Sequence, residues 1–118
     1  MLFLFILLSA WQGTEPQCQV RLELRRHDGL LTITGHCRNL LPTTEHYRYE
    51  LALWRGNPSG TSQNSQRGVF SAAPQEEVVL SQTQINADPR GSYRIHLRVF
   101  DIEGHTLARD SAVQNPTR

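Results

Sequence analysis

Residues 18–37 read CQVRLELRRHDGLLTITGHC and hold both cysteines of the chain, one at each end. Apolar and polar residues alternate on either side of the middle. Cys18, Val20, Leu22 and Leu24 share one face of a first run, and Leu31, Ile33, Gly35 and Cys37 share one face of a second. A period of two is the mark of an extended strand with one buried face. Between the runs, Arg26-His27-Asp28-Gly29 supplies turn chemistry, with Gly29 able to take the left-handed conformation. The stretch is expected to form an antiparallel hairpin, Cys18 to Arg25 with Leu30 to Arg38.

A four-residue loop would set Arg25 opposite Leu30, and with it Leu24 opposite Leu31, Leu22 opposite Ile33, Val20 opposite Gly35 and Cys18 opposite Cys37. Directly opposed residues have Cα atoms about 4.5–5.5 Å apart, a span that a disulfide tolerates. In an exported protein the two are expected to be joined. Such a bond stabilises by roughly 3 kcal/mol in the chain-entropy account. A redox-active pair is the alternative, but it calls for closely spaced cysteines with one exposed and acidified thiol. Here the spacing is long and both side chains are expected to face inward, so a structural staple is the preferred reading.

The alternation continues outward from this hairpin. His46 to Arg55 alternates through Tyr47, Tyr49, Leu51 and Leu53; GNPSG at 56–60 breaks it; Thr61 to Ser71 is a polar strand with little to bury, expected at a sheet edge. Glu77 to Ser81 gives a fifth strand, and NADPRG at 86–91 a loop. SYRIHLRVF at 92–100 gives a sixth with Tyr93, Ile95, Leu97 and Val99 on one face, and Thr106 to Val113 a seventh. Tyr93 stands where sandwich folds often place a corner tyrosine. No long stretch keeps a helical period. Seven short strands at this spacing predict an all-β, immunoglobulin-like β-sandwich of antiparallel strands.

Leu2 to Ala10, LFLFILLSA, runs into the polar WQGTEPQ. A membrane span needs about 20 apolar residues, and this run has roughly half, so residues 1–13 are expected to be a removed export signal, although a basic leading region is missing. The remaining 14–118, about 105 residues, suit one small domain. Net charge is +1, 19% of residues are charged and 38% hydrophobic, which points neither to disorder nor to nucleic acid. All twelve basic residues are arginine. Genome composition is a sufficient cause of that bias, yet every cationic contact is thereby a planar guanidinium that pairs carboxylates bidentately and stacks on rings.

Residues for catalysis are not assembled by any motif. Histidines 27, 36, 46, 96 and 105 form neither H-x-H nor H-E-x-x-H, no G-x-S-x-G opens a helix, and no glycine loop cradles phosphate. No enzyme activity, cofactor or metal is expected. The surface offers more. The residues opposite the apolar face are Arg94, His96, Arg98 and Phe100 on the sixth strand and His46, Arg48, Glu50, Ala52 and Trp54 on the third. In a sandwich these strands are neighbours in one sheet, so Arg94, His96, Arg98, Arg48 and Trp54 are expected to merge into one patch, with Arg21 and Arg25 adding to its field if the first strand lies close. A solvated sheet face carries the same pattern; the alternative is a docking surface for an acidic or extended partner, since arginine and aromatic residues are enriched where proteins bind proteins.

PSGTSQNSQRGVF at 58–70, VVLSQTQIN at 78–86 and YRIHLRVFD at 93–101, with a short export signal and one cysteine pair, resemble the curli-assembly proteins of the CsgC/CsgH type, and their CsgH-like branch most. The resemblance covers nearly all of the mature chain and rests on G-x-S-x-x-x-Q-x-G-x-F (Gly60 to Phe70) and on strand patterns. It implies a periplasmic chaperone-like inhibitor that meets the secreted curli major subunit transiently and keeps it from polymerising into amyloid. Action would be non-covalent, through a charged sheet at the Arg94-His96-Arg98 strand, by a monomer without membrane insertion. One branch of the family has a C-x-C motif; here the second cysteine reads Gly35-His36-Cys37, which favours the staple. Two other functions stay open: a generic immunoglobulin-like envelope or adhesin module, and a thiol-disulfide oxidoreductase.

Overall fold

The computed structural model describes residues 16–57, 60–86 and 90–115. The expected export signal at 1–13 and the middle of the NADPRG loop lie outside them. Among the described residues the chain forms seven strands: β1 (Cys18–His27), β2 (Leu30–Asn39), β3 (Glu45–Asn57), β4 (Gly60–Ala72), β5 (Glu77–Asn86), β6 (Ser92–Phe100) and β7 (Thr106–Gln114). All pairings are antiparallel, and they build two sheets ordered β1-β2-β5 and β4-β3-β6-β7. This is the expected all-β, immunoglobulin-like sandwich, with β4 beside β3 rather than in the β1-β2-β5 sheet. The polar β4 is an edge strand, as its composition predicts.

The first hairpin corrects the expected register. Its loop has two residues, Asp28 (φ 52°) and Gly29 (φ 76°), both left-handed. Two such residues in succession make the turn whose twist matches that of the strands, and Asp and Gly are the residue types that accept it. His27 therefore faces Leu30, Val20 faces Cys37, and Cys18 faces Asn39. The apolar faces survive because the slip is two residues, one full period. The cysteines end as diagonal rather than opposed neighbours, whose Cα atoms typically stand about 7–8 Å apart, at or beyond the long end of a disulfide's span.

Between the sheets Leu31 and Ile33 of β2 meet Leu51 and Leu53 of β3 and Ile95 and Leu97 of β6, all buried. Gly35 keeps this layer thin: a Cβ there would lie 3.0 Å from Leu97 Cδ2. A second cluster holds Cys18, Cys37, Tyr47, Ala72 and Val99. At the β1/β7 side, the edge is closed by a side chain, because Asp110 Oδ2 accepts from the Leu22 amide at 2.9 Å. β5 runs past its expected end at Ser81, and a bulge opposite Gly35 and His36 accommodates Leu80.

Asn39, fully buried, ties one pole of the sandwich together. Its Nδ2 donates to the carbonyls of Thr43 (2.8 Å), Ala72 (3.0 Å) and Ala73 (3.2 Å), while Oδ1 accepts from the Leu41 amide (3.0 Å) and the Tyr47 hydroxyl (2.9 Å). Its backbone bonds Glu76 O and Gln75 N. A buried amide is tolerated only when its donors and acceptors are used in this way.

Candidate functional site

On β3 and β6 the even-numbered residues point away from the core, and the register sets Trp54 opposite Arg94, Ala52 opposite His96, Glu50 opposite Arg98 and Arg48 opposite Phe100. The expected patch of Arg94, His96, Arg98, Arg48 and Trp54 is thus assembled on one face. β4 and β7 widen it into rows that cross all four strands. One row runs Gln63, Trp54, Arg94, Val113; the next is Ser65, Ala52, His96, Ser111; the next is Arg67, Glu50, Arg98, Arg109; and Val69, Arg48 and Phe100 form the last. Arg67, Arg109, Val69 and Val113 were not in the sequence expectation. Strand alternation places them here once β4 and β7 are known to flank β3 and β6.

Rings and guanidiniums are interleaved on this face. Arg94 lies over the Trp54 ring, 5.2 Å from its centroid, and Arg98 over Phe100 at 5.3 Å. The His96 ring meets Trp54 edge-on, 5.4 Å between centroids. Cation-π contacts of this kind hold a guanidinium flat against the sheet while leaving its edge open to a partner. Val69 and Val113 are 73% and 60% exposed.

Glu50 is the single carboxylate among the outward residues of these strands. Its side chain is only 16% exposed, Arg67 Nη2 stands 3.2 Å from Oε2, and Arg98 bonds Oε1 closely. The hydrogen bond from Arg98, followed by the charges of Arg98 and Arg67, holds the carboxyl below its ordinary range despite the opposing effect of burial. Among the described residues, no carboxylate lies in ion-pair distance of Arg48, Arg94 or Arg109.

Arg21 and Arg25 do not join this patch, which corrects the expected contribution of β1. β1 belongs to the other sheet, and its outward residues meet those of β2 and β5. There Arg21 Nη2 bonds Glu77 at 2.9 Å, Arg25 bonds Glu23 at 2.7 Å, and Arg38 bonds Glu77 at 3.0 Å. His36, largely buried, sits between the two acids, Nε2 at 2.9 Å from Glu23 and Nδ1 at 3.4 Å from Glu77.

Cys18 and Cys37 are free thiols, both buried. The neighbouring Cys18 sulfur, burial and the Glu77 charge push the Cys37 thiol well up. A pair closed off from solvent in this way lacks the exposed, acidified thiol that disulfide exchange needs. In the β6–β7 turn Asp101, Glu103 and His105 bring ligand-type atoms within 4.8 Å of one another, but the exposure of Glu103 and His105 and the Asp101–His105 bonds (2.8 Å and 3.0 Å) describe a turn closure.

No family model matches the chain, and no curated protein matches it in sequence. Solved structures do match, and they define an immunoglobulin-like sandwich. The curli protein CsgC of E. coli aligns with a TM-score of 0.67 and 20% identity over 80% of this chain and 96% of its own. CsgH of R. palustris aligns with a TM-score of 0.60 and 21% identity over 84% of this chain and 92% of its own. A β-glucuronidase of Bacteroides uniformis also aligns, with a TM-score of 0.57 and 14% identity, but only 13% of that enzyme is covered. The chain is thus similar in fold to CsgC and CsgH over nearly their whole length, in keeping with the resemblance carried by residues 58–70, 78–86 and 93–101.

Proposed function

We propose that this protein is a curli-related, periplasmic inhibitor of amyloid assembly, which engages the secreted curli subunit transiently and without covalent chemistry. The observation that carries the reading is the outer face of the β4-β3-β6-β7 sheet, where five arginines interleave with Trp54 and Phe100 around one carboxylate. The likeness in fold to two curli proteins supplies the client class. Amyloid grows by adding strands to an exposed end, so a protein that holds early oligomers through weak ionic and aromatic contacts delays growth at low ratio. The polar β4 edge resists recruitment into the fibril.

In this reading the chain acts as a monomer after removal of residues 1–13, has no catalytic role, and uses Cys18 and Cys37 structurally. An oxidising compartment would join the pair once the start of β1 shifts along β2 and brings the two sulfurs together; loss of free thiols in protein purified from the periplasm is the expected result.

The test is fibril formation by purified curli subunit, followed by thioflavin T with the protein well below equimolar. Wild type is expected to lengthen the lag, an Arg94→Ala/Arg98→Ala double variant to lose most of the effect, and a folded Cys18→Ser/Cys37→Ser variant to keep it. The partial alignment with a β-glucuronidase favours a second reading, a binding or spacer module of the same fold; an unchanged lag with wild type would favour that one.

A further inference from the structure

The row Arg67, Glu50, Arg98, Arg109 crosses the whole four-stranded sheet and is electrostatically incomplete. Glu50 stands between Arg67 and Arg98 and binds both. Arg98 then faces Arg109 directly across β6 and β7. Like charges in directly opposed positions destabilise a strand pair. Among the described residues no carboxylate approaches Arg109, and none but Glu50 approaches Arg98. One row further along the strands, Arg48 sits between the exposed Val69 and the half-buried Phe100.

We infer that the Arg98/Arg109 pair, with Arg48 beside it, is the seat for a carboxylate from an extended protein segment, and that Glu50 is its internal competitor. The seat's chemistry is visible in Glu50 itself: two guanidiniums of the row already close on a carboxylate in the plane of the sheet face, the geometry guanidinium favours. Charge complementarity therefore calls for an acidic partner. The Val69 and Phe100 surfaces next to the seat call for an apolar side chain close to that acid. A protein segment with alternating acidic and apolar residues supplies both, whereas a polyphosphate supplies only charge. An incoming carboxylate gains Arg98 by loosening its hold on Glu50, so Glu50 tempers affinity while keeping the arginines oriented in the free protein. This inference rests on the docking reading of the face and assigns Arg109 and Glu50 opposite roles in it.

Opposite roles make the test sharp. The probe is a fluorescent octapeptide of alternating Glu and Val, with the Gln/Val version and inorganic polyphosphate as controls, measured by anisotropy at low salt. Arg109→Ala is expected to weaken binding about five- to tenfold and Glu50→Gln to tighten it by about the same factor, as befits partly exposed ion pairs. Thermal melts of both variants check that each is folded. If Glu50→Gln weakens binding, or if Arg109→Ala leaves it unchanged in a folded protein, the inference is wrong. Equal binding of polyphosphate or of the Gln/Val peptide also overturns it. The same variants in the thioflavin T assay separate the two levels: inhibition by wild type that ignores Glu50 and Arg109 sinks this seat and leaves the curli reading standing. Peptide binding with the expected signs but no effect on curli fibrils does the reverse.

Discussion

On the three-stranded sheet Arg21, Arg25 and Arg38 each end on a carboxylate, and the two acids that receive them also flank His36. On the four-stranded sheet Arg48, Arg67, Arg94, Arg98 and Arg109 have Glu50 as their only outward carboxylate among the described residues, and Arg94 and Arg98 lie over aromatic rings. Both faces draw on the same arginine-only stock of cations. The first uses it internally, so its field is quenched; the second leaves it open, with exposed apolar residues alongside. Arginine content alone thus says little about binding, and the distribution of acids decides which face is available.

The largest expected effect that could break this contrast comes from charge reversal. Arg94→Glu/Arg98→Glu is expected to reduce fibril inhibition by about tenfold or more, whereas Arg21→Glu/Arg25→Glu changes it by less than about twofold, because only the first pair lies on the open face. Comparable losses in the two thioflavin T series would dissolve the distinction. Next in size is salt. Raising sodium chloride from about 0.05 M to about 0.5 M shortens the Debye length severalfold and is expected to weaken inhibition by a similar factor while the urea midpoint barely moves. Inhibition that persists at high salt would shift the weight to Trp54, Phe100 and the valines.

A smaller effect falls on stability. Glu77 joins Arg21, Arg38 and His36, so Glu77→Gln is expected to lower the urea midpoint measurably and leave inhibition intact. Acid probes the same network. The hydrogen bond from His36 and then Arg25 lowers Glu23, and that from Arg21 lowers Glu77, both from the ordinary value of 4.5. Groups lowered on folding stabilise the native state above their unfolded value, and that contribution is lost as pH falls through the folded values. The urea midpoint should therefore drop below pH 4.5, and the drop should be shallower in Arg21→Gln/Arg25→Gln. A parallel pH curve in that variant would show that the acids are not held by these arginines.

The sandwich and its main patch were legible in the sequence because both depend on a period of two. Tyr47 to Leu53 and Tyr93 to Val99 define buried faces, and whatever lies between them must face out. The cysteine register was not legible to the residue, since it hangs on whether Asp28 adopts the left-handed conformation, a choice worth little energy and made by the twist of the strands. Whether Arg21 and Arg25 lie near the patch is not legible in the sequence, because alternation gives a residue's side of its strand, not the sheet the strand joins. Arg67 was hidden for another reason: TSQNSQRG is polar on both faces, so its alternation carries no signal. Arg109 follows β7's own faces only once the bulge near Phe100 is known. Asn39 was not legible because the side-chain partners that tie it to the end of β4 lie 33 and 34 residues away, beyond any local pattern.

That asparagine has a kinetic consequence. The carbonyls it gathers come from the segment leading into β3 and from the end of β4, and its backbone reaches the start of β5, so its bonds join strands of both sheets. They can close only when the two sheets have docked and the loops at that pole have settled. Interactions made after the rate-limiting step slow unfolding and leave folding speed alone. Asn39→Ala should then steepen the escape from the native state while refolding proceeds at nearly the wild-type rate. Asn39 thus bears on the lifetime of the folded molecule rather than on how fast it forms.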